Sequence, residues 1–389
     1  MERKNIHEIL EKVRAELRIF YEIGNAMRTT LKLDEILFII LTGVTAHEGL
    51  GFNRAMLFLV NEADNTLEGK MGIGPHSGEE AGRIWKQIEA ERMSLEDLIT
   101  AYRHPARTDS ELDKIVRDIK IPLREDAGIL ALTILEGMTF EVINEEARFK
   151  IANEPVVQKL KAEYFVTVPL KAKDKTIGAI FADNIFTKKP ITKEDIRTLT
   201  MFANHAGLAI ENSRLYEQTV YQANTDSLTH LWNHGYFQYL LTEELKKAYE
   251  TKKCLSLIML DIDNFKSYND NLGHQMGDEL LREIARLLRN TCNGKGEVAR
   301  YGGEEFAVIL PNIAKNDAYE IAEILRTAID NYKFKGQEVQ PNKNLTISAG
   351  AATYPEDALD KGRLIRYADM ALYEAKRTGK NKTCAYKSG

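Results

Sequence analysis

Apolar residues near the start of the chain recur at alternating four- and three-residue steps, through Ile6, Leu10, Val13, Leu17 and Phe20. The spacing predicts an amphipathic helix over residues 1–30, suited either to a coiled-coil seam or to packing on its own domain. A second helix with a dense apolar face is predicted over 33–45. The period then shortens. Residues 54–60 read as a buried strand, Asn61-Glu62-Ala63-Asp64-Asn65 as a turn, and 66–71 as the hairpin partner. Residues 75–125 read as helical and polar, with Ile84, Trp85, Ile88, Leu95 and Leu98 as the apolar face. Strands at 164–170 and 176–182 flank Lys171-Ala172-Lys173-Asp174-Lys175, another hairpin. Thr192 and Asp195 then make a capping-box-like pair at a helix start.

From 199 to 223 the helical pattern is unbroken. Leu199, Phe202, Ala206, Ala209, Ser213, Tyr216, Val220 and Ala223 keep a strict 3-4 spacing, with no Pro and with Gly207 as the only Gly. Burial against flanking domains would give the same pattern. The run continues past the first domain's expected end, which favours a parallel dimer helix. Beyond it, helices are predicted at 235–251, 275–290, 317–332 and 361–377, with strands at 255–263 and 345–353 and a hairpin around Gly302-Gly303. Helices alternating with strands around a hairpin predict an α/β sandwich with a mixed sheet.

Candidate chemistry gathers in two stretches. Leu257-Ile258-Met259-Leu260 is apolar on both faces, as a central strand should be, and ends in Asp261-Ile262-Asp263. A period of two puts both acids on one face. Arg300-Tyr301-Gly302-Gly303-Glu304-Glu305-Phe306 lies between two apolar runs. Its Gly-Gly predicts a two-residue turn with positive φ, and Glu304 then sits where the turn enters the second strand. Carboxylates at the end of a buried strand are costly unless paired, hydrogen-bonded or metal-bound. Setting Asp261 beside Glu304 makes an oxygen-rich site suited to Mg²⁺ and substrate phosphates.

Composition narrows the classes. A length of 389 residues fits two domains and a connecting element. Apolar residues make up 44% and charged residues 29%, enough for packed cores under a soluble surface. A net charge of −5 gives no reason to expect nucleic-acid binding. Cys254, Cys292 and Cys384 are widely spaced, which implies a reducing compartment without disulfides or zinc. The N-terminus lacks a secretory apolar region, and the apolar runs near 36–41 and 129–135 fall short of the ~20 residues of a membrane span. The expected location is cytoplasmic, with no membrane contact and with any signal arriving in soluble form or from another protein. His47, His76 and His104 read as scattered surface residues rather than metal ligands.

Three stretches resemble a GAF domain over residues 30–212. They are Gly51-Phe52-Asn53-Arg54-Ala55-Met56-Leu57-Phe58-Leu59, Val168-Pro169-Leu170 with Ile177-Gly178-Ala179-Ile180, and the helix through Phe202-Ala203 and Ala206-Gly207-Leu208-Ala209-Ile210-Glu211-Asn212. The resemblance implies a sensory module with a central antiparallel sheet that takes an unknown small-molecule ligand or none. The absence of cysteine from residues 1–253 excludes covalent bilin attachment, and the usual cyclic-nucleotide signature is not evident. Residues 75–160 are a long insertion for such a domain, so its pocket is expected to be remodelled or filled.

A second resemblance covers residues 224–387. Asp226-Ser227-Leu228-Thr229, Asp261-Ile262-Asp263-Asn264-Phe265-Lys266, Asn269-Asp270, Gly273-His274 with Gly277-Asp278, the Gly302-Gly303-Glu304-Glu305-Phe306 run and Tyr373-Glu374-Ala375-Lys376 resemble a GGDEF domain of the diguanylate cyclase family. That family joins two GTP into cyclic di-GMP with release of pyrophosphate. The resemblance implies that Asp261, the carbonyl of Ile262 and Glu304 hold two Mg²⁺ ions, with Mn²⁺ able to substitute. It makes Glu304 the base for the 3′-hydroxyl, assisted by Glu305, and Asn269 and Asp278 the guanine readers. Lys266, Lys376 and the backbone N–H groups of Asn264 and Phe265 match triphosphate contacts. His274 is counted with the substrate contacts, although it also reads as a local turn residue. Lys380 stands where relatives often carry Arg and loses the bidentate fork. Asp263 and Arg300 match the pattern as structural partners.

An Asp at 278, rather than Ser or Asn, favours GTP over a mixed GMP–AMP product. One departure stands out: Asn293-Gly294-Lys295-Gly296 replaces the Arg-x-x-Asp product-inhibition site of many relatives. The whole reading is of class α/β. An N-terminal helix (1–30) and an α+β sensory GAF domain with an antiparallel sheet (31–198) precede a coiled-coil signalling helix (199–223). An α/β GGDEF domain with a mixed central sheet (224–389) follows. The expected protein is a homodimeric, GAF-regulated, Mg²⁺-dependent diguanylate cyclase, against the alternatives of a non-catalytic nucleotide-binding effector or a GMP–AMP cyclase.

Overall fold

The computed structural model describes residues 21, 24–26, 30–46, 49–83 and 110–387. The expected seam from Ile6 to Phe20, the apolar face from Ile84 to Leu98, and His47 and His104 lie outside them. Two compact units meet in sequence between Gln218 and Thr219. Among the described residues no helix is long and apolar enough to cross a membrane.

In the first unit, α1 (Leu33–Thr45) precedes the hairpin β1 (Arg54–Asn61) and β2 (Thr66–Ile73). After α2 (Glu111–Arg117) come the short strand β3 (Lys120–Pro122), α3 (Ile129–Glu136), β4 (Phe140–Val142), α4 (Glu145–Ile151) and α5 (Pro155–Leu160). The hairpin β5 (Phe165–Ala172) and β6 (Lys175–Asp183) leads into α6 (Lys193–Asn224). The sheet has the order β3-β2-β1-β6-β5-β4 and is antiparallel throughout. Its two faces feed two cores. Ala55, Leu57 and Leu59 of β1 pack with α1 and α6, while Met56 and Phe58 pack with α2, α3 and α5. This explains why β1 reads as an unbroken apolar run rather than an alternating one. Among its described residues, the segment read as helical around 75–125 includes an edge strand, β3, and a helix, α2, that lays Leu112 and Val116 on the sheet. Phe165 and Phe181 stack there with centroids 4.2 Å apart. Arg54 and Asp183 are both buried and lie 2.6 Å apart across the β1–β6 pair.

The cap of α6 forms as expected. The Asp195 carboxylate accepts from Thr192 N–H (2.8 Å), and Thr192 Oγ1 accepts from Asp195 N–H (3.1 Å). The seam read along this helix splits in two. Leu199, Phe202 and Ala206 are buried in the unit's own core, and Ser213 donates from Oγ to the Leu31 carbonyl at 2.7 Å. Only Tyr216, Val220 and Ala223 of that seam are exposed. Met201, Leu208 and Leu215, seven residues apart, form a different exposed row. The 3-4 spacing is real, but in its first half it is the spacing of a helix laid on a sheet.

The second unit contains α7 (His234–Thr251), β7 (Leu255–Ile262), α8 (Phe265–Leu272), α9 (His274–Cys292), β8 (Glu297–Arg300), β9 (Glu305–Pro311), α10 (Lys315–Asn331), β10 (Ile347–Tyr354), α11 (Lys361–Arg377) and β11 (Thr383–Ala385). The sheet order is β11-β10-β7-β9-β8. Only β10 and β11 run parallel, so the sheet is mixed, as the sequence predicts. α9 and α10 cover one face, α7 and α11 the other. β7 is buried along its whole length, which places its C-terminal acid in the middle of the domain's edge.

Phe202 is 2% exposed within its own unit. Phe202→Ala should destabilise the chain by about 3–5 kcal/mol through the cavity it leaves. Thermal melting should show the same loss at low and high protein concentration; a loss that faded on dilution would return Phe202 to an intersubunit seam.

Candidate active site

The register of the central strand brings the acids together. Asp261 pairs with Ser348 of β10 on one side and with Glu305 of β9 on the other. The Ile262 N–H donates to the Glu304 carbonyl at 3.3 Å. The expected two-residue turn is not what joins β8 to β9. The last pair is Arg300 with Phe306, and residues 301–304 form a wider loop closed by Tyr301 and Gly302 N–H groups on the Glu305 carbonyl (2.8 and 3.2 Å). Neither Gly302 nor Gly303 has positive φ. Gly302 instead leaves room for the Glu305 side chain. A Cβ there would lie 2.6 Å from Glu305 Oε2, so any larger residue displaces that carboxylate. Gly303 faces open space.

Asp261 is 5% exposed, and Lys376 Nζ, from the last turn of α11, lies 2.7 Å from its Oδ2. Burial pushes the Asp261 carboxyl up to about 6; Lys376 opposes the shift, and Glu304 and Glu305 add to it. Burial likewise raises Glu304, against Lys376 and with Glu305. Among the described residues no three His, Cys, Asp or Glu side chains converge tightly enough to hold a metal ion alone. Asp261 and Glu304 nevertheless supply hard oxygen donors at a buried, charge-strained point, which fits a divalent cation completed by phosphate oxygens.

The turn after β7 follows at once. Asp263 is buried and accepts from Thr346 Oγ1 (2.8 Å), Ser348 Oγ (2.7 Å) and Asn381 N–H (2.9 Å), so it acts as an internal brace, as expected. Asn264 sits at φ 60, with its side-chain oxygen held by Lys380 Nζ at 2.5 Å and its carbonyl by Gln340 Nε2 at 3.3 Å. Lys380, expected among the substrate contacts, is here engaged with Asn264. Phe265 opens α8, a helix the sequence reading did not include, and Lys266 beside it is exposed. Asn269 lies on α8; its Oδ1 is buried with no partner and stands 1.9 Å from where a Gly277 Cβ would be. Gly277 therefore lets α9 approach Asn269 and sets exposed Asp278 next to it in sequence. His274, exposed at the start of α9, completes this corner.

A latch ties the hairpin to the end of α6. The Arg300 guanidinium contacts both oxygens of Asp226 (3.0 and 3.2 Å) and donates to the Gly303 carbonyl (2.7 Å). Burial raises the Asp226 carboxyl, but hydrogen bonds from Thr229 and Arg300 outweigh it and hold it low. Arg300 N–H also donates to the Trp232 carbonyl (2.8 Å), and Asn233 N–H to the Asn224 carbonyl in α6 (2.9 Å). The partnership of Asp226 with Arg300 and the grip of Lys376 on Asp261 were not read from the sequence; only the opposite charges in each pair hinted at them. Residues 293–296 form the tight turn between α9 and β8, with Asn293 at φ 45 and Gly296 against the Ile309 carbonyl.

The raised Asp261 has a stability consequence. Its folded pKa of about 6 exceeds the ordinary 3.8, so between those values the native state holds a proton the unfolded state has released. Stability therefore falls as pH rises from about 4 to about 6, by roughly 3 kcal/mol for a shift of this size. In EDTA, Asp261→Asn should melt higher than the parent at pH 8, and the advantage should vanish toward pH 4. A lower melting temperature at pH 8 would mean that Asp261 stabilises the fold.

Comparison with known proteins places the chain in a family. A family model described as "Diguanylate cyclase, GGDEF domain" matches residues 223–382, and one for the GAF domain matches 32–210. Diguanylate cyclase A of Treponema denticola is 32% identical over 283 residues, covering 70% of this chain and 73% of that one. A diguanylate cyclase of Vibrio cholerae is 36% identical over 173 residues, covering 44% of this chain and about half, 53%, of its own. Among solved structures, the coiled coil and GGDEF domain of DgcB from Caulobacter crescentus, in complex with c-di-GMP, is 32% identical, with a TM-score of 0.42, and covers 48% of this chain and 99% of that one. The chain belongs to the diguanylate cyclase family, its GGDEF domain preceded in sequence by a GAF domain.

Proposed function

We propose that this protein condenses two GTP into cyclic di-GMP and pyrophosphate in a homodimer, under control of its GAF domain. The observation that carries the reading is the register that sets Asp261 beside Glu305 and ties Ile262 to Glu304; Asn269 and Asp278 follow on α8 and α9, the two helices after β7. In the reaction each 3′-hydroxyl oxygen forms a bond to the α-phosphorus of the other nucleotide, and the bond from that phosphorus to the β-phosphate bridge breaks. Glu304, whose carboxyl is raised by burial, is positioned to take the hydroxyl proton, with Glu305 beside it. Asp278 accepts from the N1–H and amino group of guanine, an edge adenine lacks, and the orphan Oδ1 of Asn269 accepts alongside it. The backbone N–H groups of Asn264 and Phe265, at the start of α8, and the Lys266 and Lys376 ammonium groups hold the triphosphate. His274 borders that pocket. Two Mg²⁺ ions, or Mn²⁺, held by Asp261, the Ile262 carbonyl and Glu304, would neutralise charge on the phosphates during the in-line displacement.

Each domain offers one such site, so two copies must face each other; the exposed face of α6 is the surface proposed to join them. A cytoplasmic location suits an enzyme using GTP and carrying free cysteines. Incubation with Mg²⁺ and GTP, with and without ATP, followed by mass spectrometry tests the assignment. Cyclic di-GMP is expected in both mixtures. A GMP–AMP product or no product at all would overturn it. Glu304→Gln should cut turnover at least a hundredfold, within the range of general-base losses, while melting no lower than the parent, since burial already disfavours the Glu304 charge. Added cyclic di-GMP should inhibit weakly or not at all through residues 293–296, since Asn293 and Gly296 offer no charged pair to hold it; submicromolar inhibition relieved by substituting those two positions would contradict this.

A further inference from the structure

The strongest ion pair of the site joins a proposed metal ligand to a proposed phosphate ligand. Lys376 Nζ lies 2.7 Å from Asp261 Oδ2, with the carboxylate side chain 7% exposed and the lysine 34% exposed. Asp261 is fixed by the register of β7, whereas Lys376 reaches it on a flexible four-carbon stem from the end of α11. The lysine can therefore leave and the aspartate cannot. An ammonium and a divalent cation on one buried carboxylate repel each other, because water screens them little there. Glu304 and Glu305 stand next to the pair, so the cluster stays anionic with the ammonium in place.

We propose that Lys376 is an exchangeable counter-ion that makes cation binding depend on nucleotide. It holds Asp261 until GTP arrives; the triphosphate then takes the ammonium, and the freed carboxylate takes the cation. The cation and GTP thus bind cooperatively through a change of partner by Lys376, beyond whatever bonds they make to each other. The cooperativity is reciprocal, since a coupling free energy acts equally on both ligands. This rests on the reading of Asp261 as a metal ligand.

The coupling predicts opposite signs at one residue. Lys376→Met should bind Mn²⁺ without nucleotide about tenfold more tightly than the parent, in the usual range of such couplings. The same variant should bind GTP more weakly. A GTP analogue methylene-bridged between the α- and β-phosphates should enhance Mn²⁺ binding less in Lys376→Met than in the parent, by about the same factor. Free Mn²⁺ can be followed by electron paramagnetic resonance at pH 8 on the full chain, with melting curves to establish that each variant is folded. Lys376→Gln, also neutral, should repeat the tightening, and Lys376→Arg should stay near the parent value. Asp261→Asn should remove the site. If the neutral variants bind Mn²⁺ no more tightly than the parent while Asp261→Asn still abolishes binding, the exchange is wrong and the metal site stands. If Asp261→Asn leaves Mn²⁺ binding unchanged, the metal reading itself fails.

Discussion

A carboxylate at the end of a fully buried strand cannot be left alone, and the second unit is built around that constraint. Asp261 is carried inward by β7, whose eight residues are all buried. Its charge has to be met from outside the strand. Lys376 meets it from one direction, while β9 brings Glu305 up against it from another. The crowding of acids is unfavourable for folding and suited to gathering cations and phosphates. Such a site is held by the rest of the domain rather than by its own interactions.

The braces are visible. Asp263 is locked by three donors, Asn264 is held at its side chain and its carbonyl, and the hairpin loop is closed onto the Glu305 carbonyl. None of these bonds touches a reacting atom in the proposed chemistry. Together they keep the Asp261 register, the turn at Asn264 and the loop at Gly302 in fixed relation. Lys376 reaches the cluster on a long, flexible side chain.

Much of this was legible in the sequence, because burial leaves a period. The long strands and helices of both units, the mixed sheet, the capping pair at Thr192 and Asp195, and the approach of Asp261 to the Glu304-Glu305 hairpin follow from apolar spacing and from acids placed where a core should be. The failures have physical causes. Strands of three residues, such as Lys120–Pro122 and Thr383–Ala385, are too short to show alternation. The Gly302-Gly303 pair predicts a positive-φ turn, whereas neither glycine has positive φ and Gly302 lies against the Glu305 side chain; sequence does not separate the two uses of glycine. The seam from Leu199 to Ala223 has one spacing but two environments, since a heptad does not record whether its partner is a helix or a sheet. α8 escapes the apolar spacing because Lys266, Ser267, Asn269, Asp270 and Asn271 leave it few apolar positions.

The double grip of Arg300 limits how this chain can vary. One planar fork satisfies both oxygens of Asp226 and the carbonyl of Gly303. A lysine offers a point charge without that planar fork and would have to choose between them. A change at Asp226 alone leaves a half-buried guanidinium short of its counter-charge, and a change at Arg300 alone leaves both acceptors short. Neither position can drift without the other. The two residues, 74 apart in the chain, thus depend on each other for their partners.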